Sequence, residues 1–293
     1  MNKIVIVTDS HCGISLDTAN KVGVKVLPMP LYIDDICYYE DISITHEEFF
    51  EKLKTCEKVT TSQASPADVM DLWNQCLEEY ETILVMPMSS GLSGACNTAK
   101  LFAENDEYAG KVYVVDNGRI STPMHRSILD ALELIDKGYS AGEIKEILEN
   151  NKNNMSIYIA VETLDYLKKG GRISAATAAI GTILDIKPIL KVDTGLLESH
   201  DKCRGFKKAR RMMIEQIKND IATKFADYSD DEIYILAATS ADEETTAKWL
   251  EQIKEEFPGK DVLCDKLSLG ISCHTGEGAL GIGVSCKPKI INN

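Results

Sequence analysis

Two short segments carry more hydroxyl groups than their local structure needs. Thr60-Thr61-Ser62-Gln63-Ala64-Ser65-Pro66 places three adjacent hydroxyls just before a helix start. Ser65 suits an N-cap, Pro66 the first turn and Asp68 the positive helix end. Capping uses one hydroxyl, so Thr61 and Ser62 are left to contact a ligand. Hydroxyls and unpaired backbone N–H groups there make a neutral but strongly donating anion site. Ser89-Ser90-Gly91-Leu92-Ser93-Gly94 follows an aliphatic strand. Gly91 and Gly94 allow close backbone approach, and Ser93 stands at the next helix start. The segment lacks the Gly-Lys-Ser/Thr ending of a Walker loop. It also lacks the second glycine of a nucleophile elbow, since Ala95 stands two places after Ser93. An oxyanion or carboxylate cradle is the chemistry that fits.

Three further segments contribute charge. Thr8-Asp9-Ser10 directly follows the first strand, either as a cap and turn or as a carboxylate lining a cleft. Lys168-Lys169-Gly170-Gly171-Arg172-Ile173-Ser174 offers Arg172, whose guanidinium fork matches a carboxylate or phosphate. His274-Thr275-Gly276-Glu277-Gly278 reads as a glycine-rich loop around His274, one of only five histidines. Either a structural histidine in a turn or a ligand contact fits that residue.

The elements that must position these residues follow a clear rhythm. Ile4–Val7, Val24–Leu27, Thr82–Met86 and Lys111–Val115 read as strands. Helices are expected near Leu16–Val22, His46–Lys54, from Ser65-Pro66, Leu92–Glu104, Ile120–Lys137 and Ala141–Asn150. Strands alternating with helices imply a parallel sheet whose ligands sit beyond the carboxyl strand ends. The second half differs. Ser156–Val161 reads as a strand, followed by a helix to Lys169 and a small-residue helix Ala175–Leu184 capped by Ser174. Pro188–Val192 and Leu196–Cys203 read as a hairpin around Asp193-Thr194-Gly195. A helix near Gly205–Phe225, strand Ile233–Ala238, helix Glu243–Glu256 and strands Val262–Lys266 and Ala279–Ser285 complete a mixed sheet. The expected fold is therefore α/β with two domains. Residues 1–154 form a three-layer parallel-sheet α/β/α domain, and 155–293 an α/β domain with a mixed sheet. Polar Asn150–Asn154 marks the boundary.

Composition narrows the function. A chain of 293 residues fits two ordinary domains. A net charge of −14 argues against nucleic acid as a partner. The one dense basic run, Lys202, Arg204, Lys207, Lys208, Arg210 and Arg211, reads as a solvated strand end and helix face or as a docking patch. Nine cysteines show no C-x-x-C pair and no zinc spacing, so no metal site is expected. Ile4–Val7 is too short for a secretory core, and no apolar run approaches the roughly 20 residues of a membrane span. A cytoplasmic protein with reduced thiols and no stable membrane anchor is expected.

Taken together, Thr8-Asp9-Ser10, Thr61-Ser62-Gln63, Ser89-Ser90-Gly91-Leu92-Ser93-Gly94, Leu167-Lys168-Lys169-Gly170-Gly171-Arg172-Ile173, Lys187-Pro188-Ile189-Leu190 and His274-Thr275-Gly276 closely resemble the DegV family over essentially the whole chain. Each motif alone is weak, whereas their joint order and spacing are specific. The resemblance implies a long-chain, palmitate-like fatty acid held between two α/β domains. It also implies a bacterial fatty acid kinase system used in phospholipid metabolism. In that system a separate ATP-dependent kinase subunit phosphorylates the bound acid, so this chain is not an enzyme on its own and binds no cofactor. Thr61 and Ser93 fall on the family's carboxylate-binding positions, with Ser62 and Gly94 beside them. Arg172 and His274 fall on positions tied to phosphoryl transfer. One departure stands out: Glu277 replaces the proline of the family's usual His-Thr-Gly-Pro-Gly. This loosens the loop and adds charge near His274. Two rivals remain: a serine hydrolase or acyl transferase using Ser93 and His274, and a phosphometabolite-binding protein with similar sheet loops.

Overall fold

A computed structural model describes residues 3–173, 186–193 and 196–290. The chain divides into two compact units. One runs to Asn153 and takes in the chain from Pro288, and the other is Asn154–Lys287.

In the first unit the strands are β1 (Ile4–Asp9), β2 (Lys25–Leu27), β3 (Pro30–Ile33), β4 (Ile36–Tyr39), β5 (Val59–Thr61), β6 (Thr82–Met86) and β7 (Val112–Val114). Its helices are α1 (Leu16–Lys21), α2 (His46–Leu53), α3 (Pro66–Glu79), α4 (Ala95–Ala103), α5 (Ser121–Asp136) and α6 (Ala141–Asn150). The four strands expected from sequence form one parallel sheet in the order β2-β1-β6-β7. Alternate residues of its central strands face opposite ways, as the pleat requires. Val5, Val7, Ile83 and Val85 pack with Trp73 and Cys76 of α3 and Cys96 and Ala99 of α4. Ile6, Leu84 and Met86 pack with Met124, Ile128 and Ala131 of α5 and Ile144 and Leu148 of α6. Helices thus cover both faces, the expected α/β/α arrangement.

A second, antiparallel sheet in the order β4-β3-β5 was not anticipated. Its hairpin turns on Asp34 and Asp35, with φ of 49° and 65°. That backbone belongs to a two-residue hairpin turn, usually signalled by Asn-Gly or Asp-Gly. Asp34 also accepts the N–H groups of Glu57 and Lys58, at 3.0 Å each, and so ties the hairpin to the approach of β5.

The second unit contains β8 (Met155–Ala160), β9 (Ile186–Asp193), β10 (Leu196–Arg204), β11 (Ile233–Thr239), β12 (Val262–Lys266) and β13 (Leu280–Cys286). Its described helices are α7 (Asp165–Gly170), α8 (Phe206–Thr223), α9 (Glu243–Glu256) and α10 (Leu269–Thr275). The strand order β10-β9-β8-β13-β11-β12 is mixed: β11 and β12 are parallel, and the other described neighbours antiparallel. The expected β9–β10 hairpin pairs Asp193 with Leu196. Thr194-Gly195, and Ser174 with the helix Ala175–Leu184, lie outside the described residues. One sheet face buries Met213, Ile217, Trp249 and Ile253 of α8 and α9. The opposite face packs Leu167 of α7 and Ile271 of α10.

A buried carboxylate joins α8 to the sheet. Asp220 accepts from the Tyr158 hydroxyl at 2.7 Å and Gln216 Nε2 at 3.0 Å, with Lys224 Nζ at 3.1 Å. Burial alone would raise its pKa, but hydrogen bonds from Tyr158, Ser156 and Lys224 outweigh that and hold it below the ordinary 3.8. A depressed folded pKa stabilises the fold above the unfolded value and loses that contribution as pH falls through the folded one. Asp220→Asn is expected to be less stable than the wild type at neutral pH. The gap in urea midpoint should close as pH falls below 3.8. A constant gap across that range would show that the charge contributes nothing.

Six of the nine cysteines are buried, and none forms a disulfide. Among the described residues no helix is long and apolar enough to cross a membrane.

Candidate anion-binding site

The loops after β1, β5 and β6 meet at the carboxyl end of the parallel sheet. Asp9, 4% exposed, governs the junction. Its Oδ2 accepts the N–H of Met88 at 2.8 Å, and its Oδ1 accepts the N–H of His11 at 2.9 Å. The neighbouring Thr8 hydroxyl donates to the Met86 carbonyl at 2.9 Å. Asp9 fills both roles open to it: it locks the start of the Ser89–Gly94 segment onto β1, and it also lines a small apolar cavity.

Most hydroxyls of the two rich segments are committed internally. Ser65 caps α3 by accepting the Asp68 N–H at 3.2 Å. Ser65→Ala is expected to cost about 1 kcal/mol of stability, visible in the urea midpoint, with ligand affinity unchanged. Ser62 donates its N–H to the Pro30 carbonyl at 3.2 Å and its hydroxyl to the Gln63 carbonyl at 3.2 Å. Ser89 Oγ accepts the Gly91 N–H at 3.3 Å. The Ser90 hydroxyl donates to Asp116 Oδ2 at 2.7 Å. Burial pushes the Asp116 carboxyl up, but Ser90, Lys100 and Lys152 outweigh that and hold it below the ordinary carboxylate range.

Ser93 differs. Its oxygen accepts the Ala95 N–H at 3.2 Å, which occupies a lone pair and leaves the O–H as a donor. Gly94 is the N-cap of α4 and adds no side-chain cap. The Cys96 and Asn97 amides in that first turn face no intrahelical carbonyl. Thr61 ends β5, paired with Leu31, rather than lying in a loop. Gln63 brings the two segments together: its Oε1 accepts the Thr98 hydroxyl at 3.1 Å, and a Cβ on Gly94 would lie 3.9 Å from it. Beside them is a small apolar cavity of about 40 Å³, partly open to solvent. Thr8, Asp9, Gln63 and Ala95 line it near the loops, with Val7, Val85, Trp73 and Ala99 deeper in. These apolar lining residues were beyond sequence reasoning, because they come from four different elements.

The split motif assembles within the second unit. The guanidinium of Arg172 donates to the Gly170 carbonyl through Nη1. Its backbone is fixed between α7 and β10, by its N–H to Leu167 O at 3.2 Å and by its carbonyl to the Leu197 N–H at 3.2 Å. Gly171 terminates α7 in the left-handed conformation at φ 67°. His274 stands in the last turn of α10 and not in a loop. A Cβ on Gly170 would overlap its ring, with Cε1 only 2.6 Å away. Glu277 is exposed, and the loop around it is held rather than loose. Ser240 donates its hydroxyl to Gly276 O at 2.7 Å, accepts the Ala279 N–H at 3.0 Å, and receives the Gly278 N–H on its carbonyl at 3.2 Å. Among the described residues no group of three or more His, Cys, Asp or Glu side chains could hold a metal ion. The basic run ends β10 and begins α8, with Lys202, Arg204, Lys207, Lys208 and Arg211 exposed.

These features define a two-unit α/β protein with hydroxyls and helix-start amides gathered at the carboxyl end of a parallel sheet. The model of the DegV family of uncharacterised proteins matches residues 3–287. A DegV domain-containing protein of Clostridium perfringens is 30% identical over 288 residues, covering 96% of this chain and 97% of the relative. The chain belongs to the DegV family. Among solved structures, a fatty-acid-binding DegV family protein from Thermus thermophilus superposes with a TM-score of 0.83 at 32% identity, over 97% of this chain and 99% of that one. DegV of Bacillus subtilis, described as a fatty acid binding protein, gives 0.84 at 28% identity over 98% and 100%.

Proposed function

We propose that this protein binds a long-chain fatty acid and presents its carboxylate to a separate ATP-dependent kinase. The observation that carries the binding half is Ser93: its hydroxyl stands partly exposed at the start of α4, where Ala95, two residues on, lines an apolar cavity. A carboxylate is costly to bury without hydrogen bonds. The Ser93 hydroxyl, the Thr61 hydroxyl and the first-turn amides of α4 supply them, with Ser62 and Gly94 flanking. The acyl chain gains about 0.8 kcal/mol per buried methylene. The fatty-acid-binding relatives at 32% and 28% identity support this reading.

In the transfer half, a carboxylate oxygen attacks the γ-phosphorus of ATP. The bond to the bridging oxygen breaks, leaving acyl phosphate and ADP. Arg172 balances the charge that develops on the transferring group. His274 orients the carboxylate or donates a hydrogen bond to it. ATP and its metal ion belong to the kinase. Mass spectrometry of ligand extracted from the purified protein tests the binding half, and a co-purifying long-chain fatty acid is the expected result. A phosphorylated metabolite instead would overturn it. Covalent labelling of Ser93 by a phosphonate probe would favour a hydrolase.

A further inference from the structure

A single carboxylate holds the chain on both sides of Ser93. Asp116 stands two residues past β7, at the carboxyl end of the parallel sheet, with its side chain 13% exposed. Ahead of Ser93, its Oδ2 accepts the Ser90 hydroxyl at 2.7 Å and its Oδ1 the Ser90 N–H at 3.4 Å. Beyond Ser93, the same Oδ2 accepts from Lys100 Nζ of α4 at 3.3 Å. Asp116 is itself fixed from behind. Its N–H donates to Glu149 of α6 at 2.9 Å. Lys145 Nζ then joins Glu149, at 2.7 Å, to the Val114 carbonyl, at 2.6 Å. Lys152 Nζ reaches Asp116 Oδ1 at 3.6 Å. Its stem lies over Gly118, where a Cβ would stand 2.8 Å from Cε. The anchor is therefore set by β7 and α6, and the chain it holds is the turn that carries Ser93.

Partly exposed ion pairs such as these add little to the stability of a fold. What they fix here is direction. A hydrogen-bonding site works when its donors are held to within about 0.5 Å by the groups behind them. Ser90 and Lys100 both refer to one carboxylate, so the turn between them can neither slide along the sheet nor tilt with α4 without breaking a bond. We propose that Asp116 is a positioning residue for the acid head group: by taking Ser90 and Lys100 together, it aims the Ser93 hydroxyl. The role rests on the fatty acid reading above. A carboxylate repels the ligand's own, so Asp116 acts through the chain and not by contact.

The test titrates the full chain with cis-parinaric acid, a fluorescent long-chain fatty acid, and with the alcohol made by reducing its carboxyl group. The two share one hydrocarbon chain, so the ratio of their dissociation constants isolates the hold on the carboxylate. The wild type is expected to prefer the acid. Asp116→Ala should weaken acid binding about tenfold and alcohol binding by less than about twofold, as for one misaimed hydrogen bond to a charged group. Ser90→Ala and Lys100→Met each remove one arm, and each should lose part of the preference. Added to Ser93→Ala, Asp116→Ala should cost little further acid affinity, because both changes act through one hydroxyl. If Asp116→Ala does not fold, Ser90→Ala combined with Lys100→Met takes its place with the same expectations. Equal losses for acid and alcohol would show a merely structural carboxylate and overturn the proposal. Unchanged acid affinity, or losses that add fully to that of Ser93→Ala, would overturn it too. A wild type without preference for the acid would sink the carboxylate reading and the Asp116 role with it. A wild-type preference that survives intact in Asp116→Ala sinks the Asp116 role alone.

Discussion

Thr61→Val combined with Ser93→Ala is expected to raise the dissociation constant for a long-chain fatty acid by roughly a hundredfold. A hydrogen bond to a charged group is worth about 1.5–3 kcal/mol, and two lost at the low end amount to about 3 kcal/mol. The acyl chain still gains its burial energy, so binding should weaken rather than vanish. Valine keeps the shape of Thr61 at the end of β5. Alanine at position 93 also removes the acceptor for the Ala95 N–H, so a small stability loss of about 1 kcal/mol accompanies it. Ser65→Ala carries a similar cap loss on the neighbouring helix and separates the two effects. Isothermal titration with palmitate measures the result. An affinity equal to the wild type would remove Thr61 and Ser93 from the carboxylate site.

Asp9→Ala should produce the largest loss of stability. It leaves the Met88 and His11 N–H groups without their acceptors. A buried donor left unpaired costs about 1–3 kcal/mol, so the pair costs about 2–6 kcal/mol. For a unit of this size that is roughly a 10 °C fall in melting temperature. Asp9→Asn retains one acceptor oxygen and should lose about half as much. The damage should reach the ligand as well, since Met88 directly precedes the segment ending in Ser93 and Gly94. Thermal melting with and without palmitate checks both parts. A wild-type melting temperature for Asp9→Ala would mean that the loop junction does not depend on this carboxylate.

The elements legible in the sequence are those with strong local signals. Thr82–Met86, Ala141–Asn150, Glu243–Glu256 and Val262–Lys266 have the bounds expected of them. Each combines an unbroken hydrophobic period with a cap or turn at its ends. The small sheet of β3, β4 and β5 was hidden because its strands are three or four residues long and its hairpin turns on Asp34-Asp35 without a glycine. The helix carrying His274 was hidden because Gly270, Ser272, Cys273 and Thr275 are weak helix formers. Its start depends on Ser268 accepting the Ile271 N–H at 3.4 Å.

By itself, the sequence determined the alternation of strands and helices, and with it the parallel sheet. It also determined that hydroxyls and glycines gather where such a sheet binds ligands, with Arg172 and His274 in separate segments of the second half. Only the tertiary structure decided which of those groups are spent. Ser62, Ser65 and Ser90 donate their O–H groups within the protein, while Ser89 and Ser93 accept a backbone N–H, and of these two Ser93 is the more exposed. It likewise made Asp9 a clamp between β1 and the Ser89–Gly94 segment and held the Glu277 loop on Ser240. The physical reason is sequence separation. Asp9 meets Met88 across 79 positions, and Ser240 meets Gly276 across 36. A hydroxyl looks the same in a local pattern whether its partner is a ligand or a distant amide, and folding alone brings that partner within reach.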